Sequence, residues 1–156
     1  LALPISAVPG TVLDFTIGLG VMAVLMVTSN SFPGWSLLTL PIWLLLMLTL
    51  SLGLGLVFAA LMVSYRDVGQ MLPVLTQMIL YISPVAYSIA AIPEKWQFWY
   101  SLNPLVGILE GFRWSLVSGQ ELRLGWAAYS AVISAIVLVL GAVVFARMER
   151  KFADVV

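Results

Sequence analysis

The chain has 156 residues, 62% of them hydrophobic and 9% charged, with seven basic and seven acidic side chains and neither histidine nor cysteine. A soluble domain is about 45–50% apolar and about 25% charged, and a chain this small cannot hide such a surplus in a core; with a mean hydropathy of +1.10, the medium it suits is lipid. Zero net charge offers no basic surface to nucleic acid, and the missing side chains exclude disulfide scaffolds, thiol nucleophiles, imidazole bases and the usual zinc sites.

The chain opens on Leu1, and no basic residue precedes the first apolar run as a signal peptide would require. The expectation is a piece of a longer protein. A helix needs roughly 20 apolar residues to cross a hydrocarbon core about 30 Å thick. Four stretches are predicted to do so, over residues 11–29, 36–63, 74–92 and 124–146. Asp14 interrupts the first near its start, where snorkelling or a water-accessible site makes a charge tolerable. Asn30, Pro33 and Gly34 supply the turn that follows. Along the second span Ser51, Gly55 and Ala59 form a small stripe at four-residue spacing, which predicts close helix packing.

Tyr65, Arg66 and Asp67 separate the second span from the third. They form either a docking turn for a soluble partner or an ordinary interfacial turn. In the third span Pro84 follows Ser83 and removes a backbone hydrogen bond, so a kink is predicted there. Tyr81, Ser83 and Tyr87 surround that break. They are candidates for lining a translocation path, or they are interface residues beside a structural kink. Gln77 is polar within the same span and is expected to face another helix.

Residues 93–123 are too apolar for a solvated loop and too long for a turn. Trp96, Phe98, Trp99 and Tyr100 cluster as aromatics do at a membrane interface. Asn103 and Pro104 carry the signature of a helix start, N-cap followed by proline at the first helical position. The helix they open runs to about Val117, two-thirds of a spanning length, so it is expected to be re-entrant or interfacial and to stop at Gly119. Gly107 and Gly111 let it approach a neighbour closely. Glu110 and Arg113, three apart, share its face. Either they meet an anionic or sugar headgroup at an outer gate, or they neutralise each other and position the helix.

Arg147, Arg150 and Lys151 crowd the end of the last span. With four crossings they share a side with Arg66, giving four basic residues against three in the connection opposite, which favours a cytoplasmic tail. No glycine-rich phosphate loop with Lys-Ser/Thr occurs, so ATP binding by that route is not expected. No pair of carboxylates suggests acid–base chemistry. The fold class predicted from these features is an all-α integral membrane domain: four spanning helices plus short helices at about 93–118.

Taken in order, several residues form a set: Val12-Leu13-Asp14-Phe15, Tyr65-Arg66-Asp67-Val68, Pro73, Gln77, Ser83-Pro84-Val85, Tyr87, Asn103-Pro104-Leu105 and Glu110-Gly111-Phe112-Arg113-Trp114. The set resembles the permease subunit of type-2 ABC polysaccharide exporters, the group that exports O-antigen and teichoic acid. That resemblance implies a six-helix permease of which this chain is the last four spans, in a bacterial cytoplasmic membrane. It implies a second permease copy and a separate ABC ATPase subunit that holds ATP and Mg, with no cofactor bound by this chain. The implied substrate is a glycan on a lipid carrier, undecaprenyl diphosphate.

By the same resemblance Tyr65, Arg66 and Asp67 lie on the ATPase side. Trp96, Trp99, Tyr100, Asn103, Pro104, Glu110 and Arg113 lie in outward-side helices near a channel exit. Extending the resemblance assigns Tyr81, Ser83, Pro84 and Tyr87 to the path. The alternatives are an ABC exporter of a drug or smaller lipid, a non-transporting scaffold, and a membrane-embedded enzyme.

Overall fold

The computed structural model of the chain describes residues 8–28, 34–65, 67–85, 87, 89–117 and 122–153. Helix α1 runs Val8–Thr28. A 3-10 turn, Trp35–Thr39, leads into α2, Leu40–Ser64, and α3 follows at Val68–Ile82. A second 3-10 turn, Ile89–Ala91, precedes the two short helices α4, Glu94–Ser101, and α5, Pro104–Leu116. The last helix, α6, is Leu124–Ala153. Among the described residues there is no strand. In hydrocarbon a lone segment can satisfy its backbone only as a helix, and Leu-, Ala- and Met-rich runs pay little for becoming one.

Among the described residues three helical stretches are long and apolar enough to cross a membrane: Pro9–Thr28, Trp35–Ser64 and Leu124–Met148. The predicted run 74–92 behaves differently. Its helix begins earlier, at Val68, and stops at Ile82 after 15 residues. Pro84 has no N–H to give to Leu80 and its ring disfavours helical backbone at the residue before it. Ser83 accordingly sits at φ −84°, ψ 139°, which is extended. The predicted kink is thus a helix end, and the remainder of the run folds separately as the second 3-10 turn.

The core lies between α2 and α6, with α5 wedged against both. Leu40, Trp43, Leu50, Gly53, Leu56 and Ala60 form the buried face of α2. On α6 the buried positions Ala127, Ser130, Ser134 and Gly141 recur at steps of three, four and seven, a coiled-coil-like seam of small residues that lets two backbones come close. The small stripe predicted to pack, Ser51, Gly55 and Ala59, points elsewhere. A Cβ on Gly55 would meet nothing within 4 Å, whereas one on Gly53 would lie 2.6 Å from the backbone nitrogen of Leu138. Both stripes are small; only Gly53 faces a helix.

Helix α1 is exposed along most of its length and touches α5 through Phe15 and Phe112, ring centroids 5.5 Å apart. Asp14 is exposed on α1. Helix α3 buries none of its residues.

Candidate functional site

The residues of interest converge where α3 ends. Because the helix stops, the carbonyls of Pro84 and Val85 have no partners within it, and the N–H of Ile89 opens a new turn without one. Side chains of α5 supply them. Arg113 Nη2 donates to the Pro84 carbonyl at 2.6 Å and to the Val85 carbonyl at 3.0 Å. Its Nη1 donates to Glu110 Oε1 at 2.8 Å, and that oxygen also accepts the Ile89 N–H at 3.2 Å. The two side chains are one turn apart on α5, as the i, i+3 spacing requires, and are only 21% and 14% exposed. Arg113 stands in the last turn of α5, where a cation also suits the helix dipole.

Asn103 adds a third fastening. Its Oδ1 accepts the Leu105 N–H at 3.0 Å, the N-cap bond, while its Nδ2 donates to Ser83 Oγ at 3.1 Å. Pro104 fills the first helical position, where its missing N–H costs nothing. Ser83 and Pro84 are buried by this arrangement. Residues assigned from the sequence to a path and to a gate are therefore joined in one cluster.

Helix α5 is itself held tightly. A Cβ on Gly111 would strike the indole of Trp43, and one on Gly107 would strike the Trp126 carbonyl and Ser130 Oγ. At its far end Ser115 Oγ lies 2.7 Å from Thr39 Oγ1 and donates to the Gly111 carbonyl at 2.9 Å. Trp43 Nε1 donates to the same Thr39 oxygen at 3.2 Å. Nothing in the sequence marked Thr39 or Ser115, since isolated hydroxyls carry no periodic signal.

Two cavities flank the cluster. One, about 810 Å³, is lined by Tyr87, Ala91, Ile92, Pro93, Trp96 and Tyr100. Trp96 and Tyr100 are four apart on α4 and so share a face, a signal available in the sequence. Tyr87 lines the same cavity as Tyr100 from the far side of the break. The other, about 530 Å³ and almost wholly apolar, lies between α3, Met47 of α2 and the Leu105–Leu109 face of α5, with Gln77 and Ser83 among its few polar neighbours.

Not every predicted residue joins the cluster. Tyr81 is exposed on α3, and Trp99 faces away from the aromatic cavity, edge-on to Phe98 at 5.9 Å. Tyr65 and Asp67 stand at the opposite end of α3, where the Asp67 carbonyl accepts the N–H groups of Gln70 and Met71. Arg66 lies outside the described residues. Helix α4 is pinned to the start of α6 by two bonds with no sequence signal. Arg123 Nη1 donates to Gln97 Oε1 at 3.0 Å, and the Tyr129 hydroxyl donates to the Leu102 carbonyl at 3.0 Å.

An apolar helical frame of this kind is that of an all-α membrane domain, and sequence comparison narrows the class. The pattern of the ABC-2 type transporter family matches residues 2–117, and the chain belongs to that family. It is 24% identical over 154 residues to the O-antigen export system permease protein RfbA of Myxococcus xanthus, covering 97% of this chain and 59% of that protein. It is also 24% identical over 129 residues to the polysialic acid transport protein KpsM of Escherichia coli, covering 83% of this chain and 50% of that one. A third relative, the RfbA permease of Klebsiella pneumoniae, is 22% identical over 103 residues, or 66% of this chain and 39% of the relative. The chain thus spans roughly half the length of the relatives it matches.

Proposed function

We propose that the chain is part of the transmembrane subunit of an ATP-driven exporter that moves lipid-linked polysaccharide of the O-antigen, teichoic-acid or capsule type across a bacterial cytoplasmic membrane. The observation that carries this reading is the family match together with relatives whose names specify O-antigen and polysialic acid transport. The permease works in two copies beside a separate ABC ATPase, which binds ATP and Mg; this subunit makes and breaks no covalent bond. ATP binding in the partner shifts the balance of closed and open arrangements through its differential affinity for them.

This reading takes four crossings, α3 among them, with the Tyr65–Asp67 turn on the cytoplasmic side facing the ATPase. Helix α3 has 15 residues, a rise of about 22 Å, short of the hydrocarbon thickness. Irregular backbone is tolerated at membrane depth where protein satisfies it, and α5 satisfies the Pro84, Val85 and Ile89 groups that follow α3. The groove of Tyr87, Trp96 and Tyr100 offers flat aromatic faces to sugar rings passing the exit.

The test is purification of the full-length parent from membranes in mild detergent, followed by ATPase assay with and without undecaprenyl-linked glycan. Co-purification of an ATPase that the glycolipid stimulates is expected. A folded, well-expressed permease that brings down no ATPase would defeat the proposal. Stimulation by a drug or simple lipid in place of the glycolipid would redirect it to a different substrate.

A further inference from the structure

We infer that Glu110 and Arg113 are positioning residues: they lock the backbone that follows α3 onto α5, and through it set the aromatic groove, without themselves touching the transported molecule. What passes the groove is taken from the exporter reading; the lock stands on geometry alone.

The charges are already engaged. One Arg113 nitrogen is committed to Glu110 and the other to two carbonyls, and the same Glu110 oxygen that meets Arg113 accepts the Ile89 amide. An anionic headgroup seeking Arg113 would compete with a carboxylate at 2.8 Å in a partly buried site, where a charge-assisted pair is strong. The three backbone partners are also distinctive. Pro84 and Val85 follow the end of α3, and Ile89 begins the next turn, so the pair fastens both sides of the same break.

Between those fastenings lies Tyr87, and directly after them come Ala91, Ile92 and Pro93, all lining the groove. The opposite wall is Trp96 and Tyr100 of α4. The lock thus fixes one wall against α5, and α5 is immobilised in turn by Gly111 on Trp43 and Gly107 on the Trp126 carbonyl. Rigidity passes from the α2–α6 core through α5 and two charged side chains to the groove. An unlocked break would leave two carbonyls and an amide unpaired at membrane depth, and the Ile89 amide would exchange with any water reaching the exit.

The experiment compares wild type with E110A, E110Q, R113A and R113K in the full-length permease bound to its ATPase, reconstituted in nanodiscs. Hydrogen exchange is read on a peptide containing Ile89, with peptides from α2 and α6 as the control for folding. Glycan transport is measured in parallel for maximum rate and half-saturating concentration. In E110A and R113A, exchange at Ile89 rises about tenfold or more, while α2 and α6 stay protected. The maximum transport rate falls and the half-saturating concentration holds. E110Q keeps an acceptor oxygen and recovers most of the protection.

Should the alanine variants fail to assemble, R113K decides. Its ammonium keeps the charge, but one nitrogen cannot reach Glu110 and both carbonyls as the guanidinium fork does, so Ile89 exchange still accelerates. Unchanged Ile89 exchange in folded variants overturns the inference. So does a raised half-saturating concentration at intact maximum rate, which would mean direct contact with substrate. If wild type transports no glycan, only the exporter reading falls, because the exchange comparison requires no substrate.

Discussion

Gly53 in α2 and Gly141 in α6 meet backbone to backbone: a Cβ built on Gly141 lands on the Gly53 carbonyl oxygen, and one built on Gly53 lies 2.6 Å from the nitrogen of Leu138. Neither obstacle is a flexible side-chain tip. The helices would have to part to admit a methyl group.

G53A is therefore expected to destabilise the α2–α6 pair by about 1–3 kcal/mol, the usual cost of overpacking. G55A, two residues away on the open face, should leave stability unchanged or slightly raised, since alanine is the better helix former. Thermal unfolding of the two purified variants in one detergent checks the pair. Equal loss in both would mean that the seam runs along the other stripe.

The contact between Thr39 and Ser115 is expected to act as a coupled unit. Ser115 is fully buried, and its hydroxyl bridges Thr39 at 2.7 Å and the Gly111 carbonyl at 2.9 Å. S115A leaves Thr39 with its bonds to the Ser36 carbonyl and Trp43, and should cost about 1 kcal/mol. A double-mutant cycle with T39V should show a coupling energy of at least about 0.5 kcal/mol. Strict additivity of the two losses would mean that the hydroxyls do not share a bond.

Asn103 carries two jobs, an N-cap for α5 and a strap to Ser83. N103A should lower stability by about 1–2 kcal/mol. N103S restores the cap with a shorter side chain, so it should regain the larger part of the loss without the strap. Thermal unfolding across N103A, N103S and the pair N103A/S83A separates the two contributions. If S83A adds a full further loss to N103A, the strap is not there.

Much of this architecture is legible before folding is considered. The apolar runs 11–29, 36–63 and 124–146 locate the long helices Val8–Thr28, Leu40–Ser64 and Leu124–Ala153, although the last continues beyond its run through charged residues, and the Asn103-Pro104 pair marks the start of α5. The Glu110–Arg113 contact follows from helical spacing. The aromatic groove is half legible, since Trp96 and Tyr100 share a face by their four-residue step, while Tyr87 comes to them across a break that no periodicity describes. In sequence the third run reads as one kinked helix, because a proline reports a lost hydrogen bond and cannot report whether the helix resumes beyond it. Here it does not, and side chains of α5 take up the Pro84, Val85 and Ile89 groups beyond the break.

Local chemistry set the residue-level features. Hydropathy demanded lipid, proline ended α3, and asparagine capped α5, each through forces acting within a few residues of the chain. Only the tertiary structure chose between Gly53 and Gly55 as the packing glycine, and only it made Pro84, Val85 and Ile89 the partners of Glu110 and Arg113. Those choices depend on which face of a helix meets another helix remote in sequence. In an apolar segment that is hydrophobic all round, the pattern of side chains does not say which face that is.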